Sequence, residues 1–222
     1  MMQVYLLPSS KKQSRMVLGK YTLKDFFTEE SINRFRELDD KRIELLKVIS
    51  CQEELLPVWR RYAGPFWNSL EFWVLPPKVQ NHLAENSVVI SPVFGLLSLN
   101  DWIPYCQAQW SKELRSFWRE TLKGISRELL KDKVVFSFLG KEELSLIDTS
   151  SCQKLITFEF YKRERRVYRD QPHKAYTLRY IAERQLGYEH LTVINFYDYK
   201  VESIREEGKR VRVVLKGQGA YI

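Results

Sequence analysis

The sequence predicts an α/β fold, a single compact domain over residues 1–222 with a mixed sheet, flanking helices and a C-terminal β-hairpin. Short apolar runs rich in β-branched residues alternate with stretches of helical periodicity, as is typical of α/β domains. The chain of 222 residues is long enough for a sizeable core. It contains no Gly/Ser linker and no internal repeat, so one domain is expected.

The first third of the chain contains one predicted strand and two predicted helices. The apolar residues 4–7 have no basic segment before them, so we interpret them as a first strand rather than as a signal peptide. An apolar stripe at near-helical spacing predicts a helix over residues 29–49. Gly64 and Pro65 then break the chain before a second helix over residues 67–75.

A βαβ unit is predicted in the middle of the chain. Residues 88–90 and 134–139 are apolar runs that suit buried strands, and an amphipathic helix over residues 112–130 lies between them. The crossover in such a unit is right-handed. Residues 154–161 alternate between the two faces of a strand and predict a further one.

The C-terminal part is predicted to be a helix followed by the β-hairpin. Pro172 suits the first turn of the helix, and Gly187 suits its C-terminal cap. Residues 191–201 and 209–215 flank a charged turn with a glycine, which indicates two antiparallel strands. Apolar and basic residues alternate in the last strand, which predicts a half-buried strand at the sheet edge.

Residues 161–185 are strongly basic, with eight Lys or Arg against three acidic residues. The eight are Lys162, Arg163, Arg165, Arg166, Arg169, Lys174, Arg179 and Arg184. Such a charge density attracts polyanions, and four interleaved tyrosines offer faces on which bases can stack. The same composition also suits another phosphate-bearing ligand, or a solvated helix face and loop with no ligand.

Three loops that follow predicted strands carry polar residues. Motifs for dinucleotides, for P-loop phosphates, for zinc proteases and for serine hydrolases are absent. Ser9, Ser10 and Lys12 follow the first strand, where ligands tend to bind in α/β sheets, and their hydroxyl and ammonium groups suit an anion. The alternative is a basic surface loop.

Carboxylates and a phenol are the candidates for acid–base chemistry. Asp101 and Tyr105 follow a strand and a turn, and they suit either proton transfer or the hydrogen bonding of a loop. Glu142 and Glu143 follow another strand, and paired carboxylates can bind a metal or act as a base. Adjacent glutamates that open a helix also complement its dipole, which is the interpretation that we favour for this pair.

The cysteines and histidines show no pattern of a metal or disulfide site. Cys51, Cys106 and Cys152 are far apart and odd in number, so neither a disulfide framework nor a structural zinc site is expected. A reducing cytoplasm fits this usage. The three histidines lack ligand spacing, and we expect no metal and no cofactor. The sequence contains no run of 18 apolar residues, so it predicts no membrane helix, and no membrane partner is expected.

Several short motifs occur in a fixed order over nearly the whole chain. They are Leu6-Leu7-Pro8-Ser9-Ser10-Lys11-Lys12, then Tyr62-Ala63-Gly64, Ser91-Pro92-Val93-Phe94-Gly95-Leu96-Leu97 with Asp101, Ile103, Pro104 and Tyr105, Phe117-Trp118, Val134-Val135 with Glu142, Lys174-Ala175 with Arg179, and Phe196 with Tyr199. Each motif is short, but their order resembles that of the YaaA-like family, the bacterial peroxide-stress proteins.

The resemblance implies a compact α/β domain with a positively charged cleft. It also implies DNA binding and a protective role in oxidative stress, through the limiting of iron-driven damage. Three positions depart from the family pattern: Ser98 and Cys106 stand where the family has arginines, and Glu143 stands where it has a tyrosine. The chain is therefore expected to be a diverged member, and if those three positions hold a ligand in the family, it is expected to bind a different ligand or to bind more weakly.

The leading hypothesis is a cytoplasmic DNA-binding protein of the peroxide stress response, with double-stranded DNA as the expected nucleic acid. The residues expected to contact phosphate are Lys12, Arg163, Arg165, Arg166, Arg169, Lys174 and Arg179. The alternative is an enzyme acting on a nucleotide, a nucleobase or damaged nucleic acid. Its pocket would combine Lys12 with the catalytic candidates Asp101, Tyr105 and Glu142. A sensor of phosphate-rich small molecules is a third interpretation.

Overall fold

The computed structural model of the protein describes residues 2–32 and 34–219. Within these residues the strands, in chain order, are β1 (Gln3–Pro8), β2 (Cys51–Pro57), β3 (Ser87–Ser91), β4 (Gly95–Leu97), β5 (Trp102–Cys106), β6 (Val134–Ser137), β7 (Lys154–Lys162), β8 (Arg165–Arg166), β9 (Asn195–Phe196), β10 (Tyr199–Glu207) and β11 (Arg210–Gly217). Nine of these described strands form one mixed sheet in the order β4-β3-β1-β6-β7-β11-β10-β9, with β8 paired to β7. The other two, β2 and β5, form a small antiparallel sheet.

Five neighbouring strands in the centre of the large sheet are parallel. Strand β1 pairs with β3 on one side and with β6 on the other, and β6 and β11 both pair in parallel with β7. The central strands β1, β3 and β6 are almost entirely buried, as expected of parallel strands that are covered on both faces. Their uninterrupted apolar sequences follow from this double burial.

Helices cover the two faces of the sheet. They are α1 (Asp39–Leu46), α2 (Val58–Arg61), α3 (Pro65–Leu70), α4 (Pro77–Asn86), α5 (Lys112–Leu129), α6 (Lys141–Leu144) and α7 (Gln171–Arg184). Tyr5 and Leu7 belong to one apolar core with residues of α3, α4 and α7, whereas Val4 and Leu6 belong to a second core with residues of α1 and α5. Successive side chains of a strand face opposite sides, so β1 divides its side chains between both cores.

Much of the predicted fold is confirmed. The mixed sheet, the flanking helices and the terminal hairpin, formed by β10 and β11, are present. Strands β1, β3, β6 and β7 lie where apolar runs and alternation predict them, and α5 covers residues 112–129 of the predicted 112–130. Among the described residues, no helix is both long enough and apolar enough to cross a bilayer.

Two predicted helices are shorter than their sequence patterns suggest. Among the described residues of 29–49, only those of α1 are α-helical, because Phe35 takes a left-handed conformation with φ of 57° and a 3-10 turn follows it. The helix expected over residues 67–75 begins earlier, at Pro65, and ends at Leu70, because Glu71 is also left-handed. A left-handed residue interrupts the i to i−4 hydrogen bonding, which hydrophobic spacing cannot reveal.

The C-terminal elements differ from the prediction in three details. Strand β11 is not at the sheet edge, because it pairs with β7 on one side and with β10 on the other. The cap of α7 is Gln185 in a left-handed conformation, and Gly187 instead precedes a 3-10 segment, Tyr188–Val193. That segment occupies the start of the strand predicted over residues 191–201.

The expectation of no disulfide is wrong, because Cys51 and Cys106 form one. Their Cα atoms are directly paired between β2 and β5, at a separation of 4.4 Å. A register between strands that are 55 residues apart is not visible in cysteine spacing. Cys152, the third cysteine, is a buried thiol.

Candidate functional site

A cavity of about 540 Å³ opens where β1 and β6 end. The chain continues from β1 to β3 on one side of this pair and from β6 to β7 on the other, so the two strands flank a topological switch point. Ligands of open α/β sheets bind at the carboxyl ends of strands at such points. The cavity is lined by Pro8, Ser9, Ser10, Lys11, Lys12, Gln13, Gly64, Pro65, Phe66, Trp67, Tyr105, Gln107, Glu143 and Gln171.

Backbone and indole contacts hold the loop that follows β1. The Ala63 amide donates to the Lys12 carbonyl over 2.9 Å, and the buried indole N–H of Trp67 donates to the Pro8 carbonyl over 3.2 Å. A Cβ atom at Gly64 would collide with the Ser10 hydroxyl in its present rotamer, so the glycine allows Ser10 to pack closely here. The wall formed by residues 8–12 is therefore preorganised rather than loose.

A buried arginine connects this loop to the small sheet. The Arg61 guanidinium donates to three carbonyls, those of Ser14, Glu54 and Ile103. Burial lowers the pKa of Arg61 to about 10, and the group still carries its charge at neutral pH. The guanidinium group is planar and has N–H donors in several directions, so one side chain can join the loop after β1, strand β2 and strand β5.

Two lysines give the rim of the cavity a positive charge. Lys11 and Lys12 are exposed and line the cavity. Within residues 2–32 and 34–219, neither ammonium group is in an ion pair. They can therefore neutralise an incoming anion without first breaking an internal salt bridge.

Tyr105 lies on the opposite wall in a cationic environment. Its hydroxyl is 3.5 Å from Arg15 Nη2 and accepts a hydrogen bond of 2.8 Å from the Gln107 side chain. The Arg15 guanidinium also lies over the phenol ring, 5.3 Å from its centre. The hydrogen bond from Arg15 is the main cause of a lowered pKa of Tyr105. An anionic ligand would meet this wall without electrostatic repulsion.

Glu143 contributes a carboxyl group to the lining of the cavity. Burial raises its pKa, while the Gly140 amide, which donates to Oε2 over 3.0 Å, and the charge of Lys174 act in the opposite direction. The carboxyl group consequently keeps its proton to a higher pH than an exposed glutamate does. A group of this kind can donate a hydrogen bond to a ligand and can act as a general acid.

Two of the three predicted catalytic residues are elsewhere. Asp101 is buried, and its Oδ2 accepts a hydrogen bond of 2.7 Å from the Ser98 amide, which stabilises the turn before β5. Glu142 is exposed and forms an ion pair of 2.8 Å with Arg115. Neither residue lines the cavity, whereas Tyr105 does. The structure thus brings together Lys12, Tyr105 and Glu143 instead of Lys12, Tyr105, Asp101 and Glu142.

The sequence did contain a signal for Glu143. It lies three residues after Gly140, which precedes α6, and its carboxylate accepts from the Gly140 amide, as in a capping box. That geometry turns the side chain of Glu143 back toward β6 and the cavity. Glu142, one position earlier on this short helix, faces solvent instead.

The basic residues of positions 162–169 form an exposed hairpin at the carboxyl end of β7, which we call the basic hairpin. Lys162, Arg163, Arg165 and Arg169 are exposed, and none is in an ion pair with another described residue. Arg166 pairs with Glu159 over 3.1 Å. The fraction of Tyr168 that is exposed is 86%. Four cations and one aromatic ring are therefore available to a partner.

The remaining two predicted phosphate contacts, Lys174 and Arg179, are already engaged. Lys174 was expected to contact phosphate, but it is 7% exposed and bonds to the Leu139 carbonyl and to Asp170, each over 3.2 Å. Arg179 forms ion pairs with Glu71 over 2.9 Å and with Glu183 over 2.8 Å. The inner face of α7 packs on the sheet, and Lys174 is on that face.

The basic hairpin and the cavity are adjacent. Gln171 lines the cavity and begins α7, only two residues after Arg169. Two residues of extended chain span about 7 Å at most, so the Cα atom of Arg169 lies within that distance of Gln171. Lys11 and Lys12 also line the cavity, whereas the residues of the basic hairpin do not. No group of three or more described His, Cys, Asp or Glu residues is arranged to hold a metal ion.

The fold and the site together define an α/β protein with a cationic cavity at the carboxyl ends of its central parallel strands. The model of the family described as peroxide stress protein YaaA matches residues 6–204, and the chain belongs to this family. The family assignment from ordered sequence motifs is thereby confirmed. No curated protein matches the chain.

Proposed function

We propose that the protein binds DNA as part of the peroxide stress response, through the basic hairpin and the rim lysines of the cavity. The observation that carries the proposal is a set of six exposed cations without ion pairs among the described residues: Lys11, Lys12, Lys162, Arg163, Arg165 and Arg169. Exposed cations that are not neutralised by ion pairs create a local positive field that attracts phosphates. We further propose that this binding takes place in the cytoplasm.

Contacts of this kind give affinity without much sequence specificity. Arginine and lysine contacts to phosphate position a duplex, but they do not identify its bases. Each neutralised phosphate releases condensed counterions, so six contacts give a salt dependence with a slope of about −5 in log K against log salt. Tyr168 adds an aromatic face that can stack on an unpaired base.

The proposal is tested by fluorescence anisotropy with a labelled duplex and a labelled single strand at several salt concentrations. We expect the variant Arg163→Ala/Arg165→Ala/Arg169→Ala to bind at least about tenfold more weakly and to flatten the salt slope by about 3. The loss should be similar on unrelated sequences, because phosphates rather than bases are contacted.

A matched control removes three charges from the other edge of the sheet. Lys131 precedes β6, Arg205 lies near the end of β10 and Arg210 begins β11, and all three are exposed and outside the ion pairs of the described residues. We expect Lys131→Ala/Arg205→Ala/Arg210→Ala to retain most of the affinity. Equal losses in both triple variants would mean that net charge and not the basic hairpin governs binding.

A second candidate function is the binding or conversion of a nucleotide or nucleobase in the cavity. The observation that favours it is Glu143, a carboxyl group with a raised pKa that lines the cavity together with hydroxyl, ammonium and aromatic groups. In this role Lys12 would contact a phosphate, and Glu143 would donate a proton or a hydrogen bond to the base or its leaving group.

Thermal shift measurements with nucleoside monophosphates and with inorganic phosphate test this second function. Stabilisation that is lost in Lys12→Ala and in Glu143→Gln would support a nucleotide in the cavity. Stabilisation that is lost only in Lys12→Ala would indicate a simple phosphate site. No stabilisation, combined with salt-sensitive DNA binding, would leave the first proposal as the function.

A further inference from the structure

The disulfide lies at an isolated end of the small sheet. Regular pairing of β2 with β5 covers Leu55 to Pro57, and the register then shifts before the single pair Cys51 and Cys106. Residues 52–54 of β2 thus lie opposite Tyr105 alone, as in a large β-bulge. Beyond this bulge, the covalent bond links the end of β5 to β2.

The same end of β5 forms one wall of the cavity. Tyr105 and Gln107, on either side of Cys106, both line it. The Gln13 side chain, from the loop after β1, donates to the Cys106 carbonyl over 2.8 Å and accepts from the Cys106 amide over 3.2 Å. A change at Cys106 is therefore transmitted to both walls, through its neighbours and through Gln13.

We propose that Cys51 and Cys106 are a redox site, a dithiol that a hydroperoxide oxidises to the disulfide and that thereby secures the Tyr105 wall of the cavity. This inference goes beyond DNA binding and does not depend on it. The proposed location adds a reason: cytosolic thiols are kept reduced, and disulfides formed there are transient and serve catalysis or sensing.

The difference in exposure between Cys51 and Cys106 indicates which thiol reacts with the peroxide and which one resolves the product. Cys51 is partly exposed, whereas Cys106 is 1% exposed, so a peroxide reaches Cys51 first. Susceptibility to oxidation follows thiolate character and access, and a neighbouring thiol then resolves the product. Cys152 is buried in the other apolar core, next to α5, and cannot take either role without unfolding.

The chemistry balances with one hydroperoxide per protein. The Cys51 thiolate attacks one peroxide oxygen, the O–O bond breaks, and the departing hydroxide takes a proton to leave as water, which gives a sulfenic acid. The Cys106 sulfur then attacks the Cys51 sulfur, the S–O bond breaks, and a second water leaves with the Cys106 proton. Two thiols lose two electrons to hydrogen peroxide and become one disulfide and two waters.

The first test counts thiols. The protein is reduced, separated from the reductant and treated with one equivalent of hydrogen peroxide. It is then denatured and labelled with a maleimide, and its intact mass is measured by mass spectrometry. We expect three labels before and one after treatment, the remaining one on Cys152, and two labels falling to none in Cys152→Ala. Retention of all three labels, or a disulfide between two protein molecules, would overturn the proposal.

Single-cysteine variants test the order of the two steps. In Cys106→Ala, dimedone should trap a sulfenic acid on Cys51, because the resolving thiol is absent. In Cys51→Ala, Cys106 should remain a thiol under the same treatment. Trapping of Cys106 in place of Cys51 would refute the assignment of roles.

Hydrogen exchange tests the coupling to the cavity. We expect the amide of Cys106, which is bonded to Gln13, to exchange at least about tenfold faster in the reduced protein than in the oxidised one. The amides of β6, in the sheet centre, serve as the control and should not change. Equal exchange of residues 105–107 in both redox states would show that the bond does not secure this wall.

Discussion

Breaking the Cys51–Cys106 bond should lower the free energy of unfolding by about 4 kcal/mol. The two cysteines are 55 residues apart, so the bond closes a long loop in the unfolded chain. In the chain-entropy description, closing a loop of 55 residues removes about 14 cal/mol/K of unfolded-state entropy, which is about 4 kcal/mol at 25 °C. For a chain of this size that corresponds to a fall in Tm of about 8 to 16 °C.

The comparison is made on one protein in two redox states, because reduction changes the bond and no side-chain volume. Thermal and urea unfolding are followed by circular dichroism, with and without a phosphine reductant, and free thiols are counted before each scan. Cys152→Ala keeps the bonded pair and should show the same shift. The variant Cys51→Ala/Cys106→Ala should not respond to the reductant.

Two results would refute this reasoning. Three reactive thiols in the peroxide-treated protein would mean that the bond does not form in solution. A loss of less than about 1 kcal/mol in a protein whose two thiols are free would mean that the unfolded chain gains little freedom, contrary to the loop-closure description.

Three further variants test the cavity walls. Gly64→Ala should cost about 1 kcal/mol of unfolding free energy by urea titration, because the Ser10 hydroxyl must leave its rotamer to make room for the new Cβ, and adding Ser10→Gly should restore most of it. Arg61→Lys should cost about 1 to 3 kcal/mol in the same assay, because an ammonium group cannot donate to three carbonyls that lie in these fixed directions. An unchanged urea midpoint would mean that Arg61 does not stabilise the contact between these three segments. A raised pKa of Glu143 means that the folded state holds a proton that the unfolded state has lost, so stability falls as pH rises from the ordinary glutamate value of 4.5. The free energy of unfolding of Glu143→Gln should not show this fall with rising pH. If the unmodified protein and the variant gave parallel profiles of stability against pH, the raised pKa of Glu143 would be contradicted.

Local periodicity was sufficient for the central strands and for α5, although it missed α4. A strand such as β1 is buried on both faces, so its sequence is continuously apolar and recognisable without knowledge of its neighbours. The apolar face of α5 similarly repeats at helical spacing over 18 residues. Short elements carry too few residues for a pattern, and β4, β5 and β8 were therefore not predicted. Strand β2 was also missed, because its first residues are partly or fully exposed and only its last three are buried.

The candidate site was predictable where position along the chain determines position in space. The loop with Lys12 follows the first strand of a parallel sheet, and carboxyl ends of neighbouring parallel strands meet at one edge. Glu143 and Glu142 differ only in direction on a one-turn helix, and the capping contact to Gly140 decides which of them faces the cavity. Lys174 is in a basic run, yet the side of α7 that packs on the sheet determined its burial.

The sequence by itself determined the α/β class, the family, the central strands and the basic segment of residues 161–185, because periodicity, ordered motifs and charge density are local properties of a chain. The tertiary structure decided which of these charges remain unpaired, which carboxyl group enters the cavity and which cysteines are bonded. Each of those outcomes depends on the register and packing of segments that are distant in sequence. Cys51 meets Cys106 only because β2 and β5 pair in one particular register.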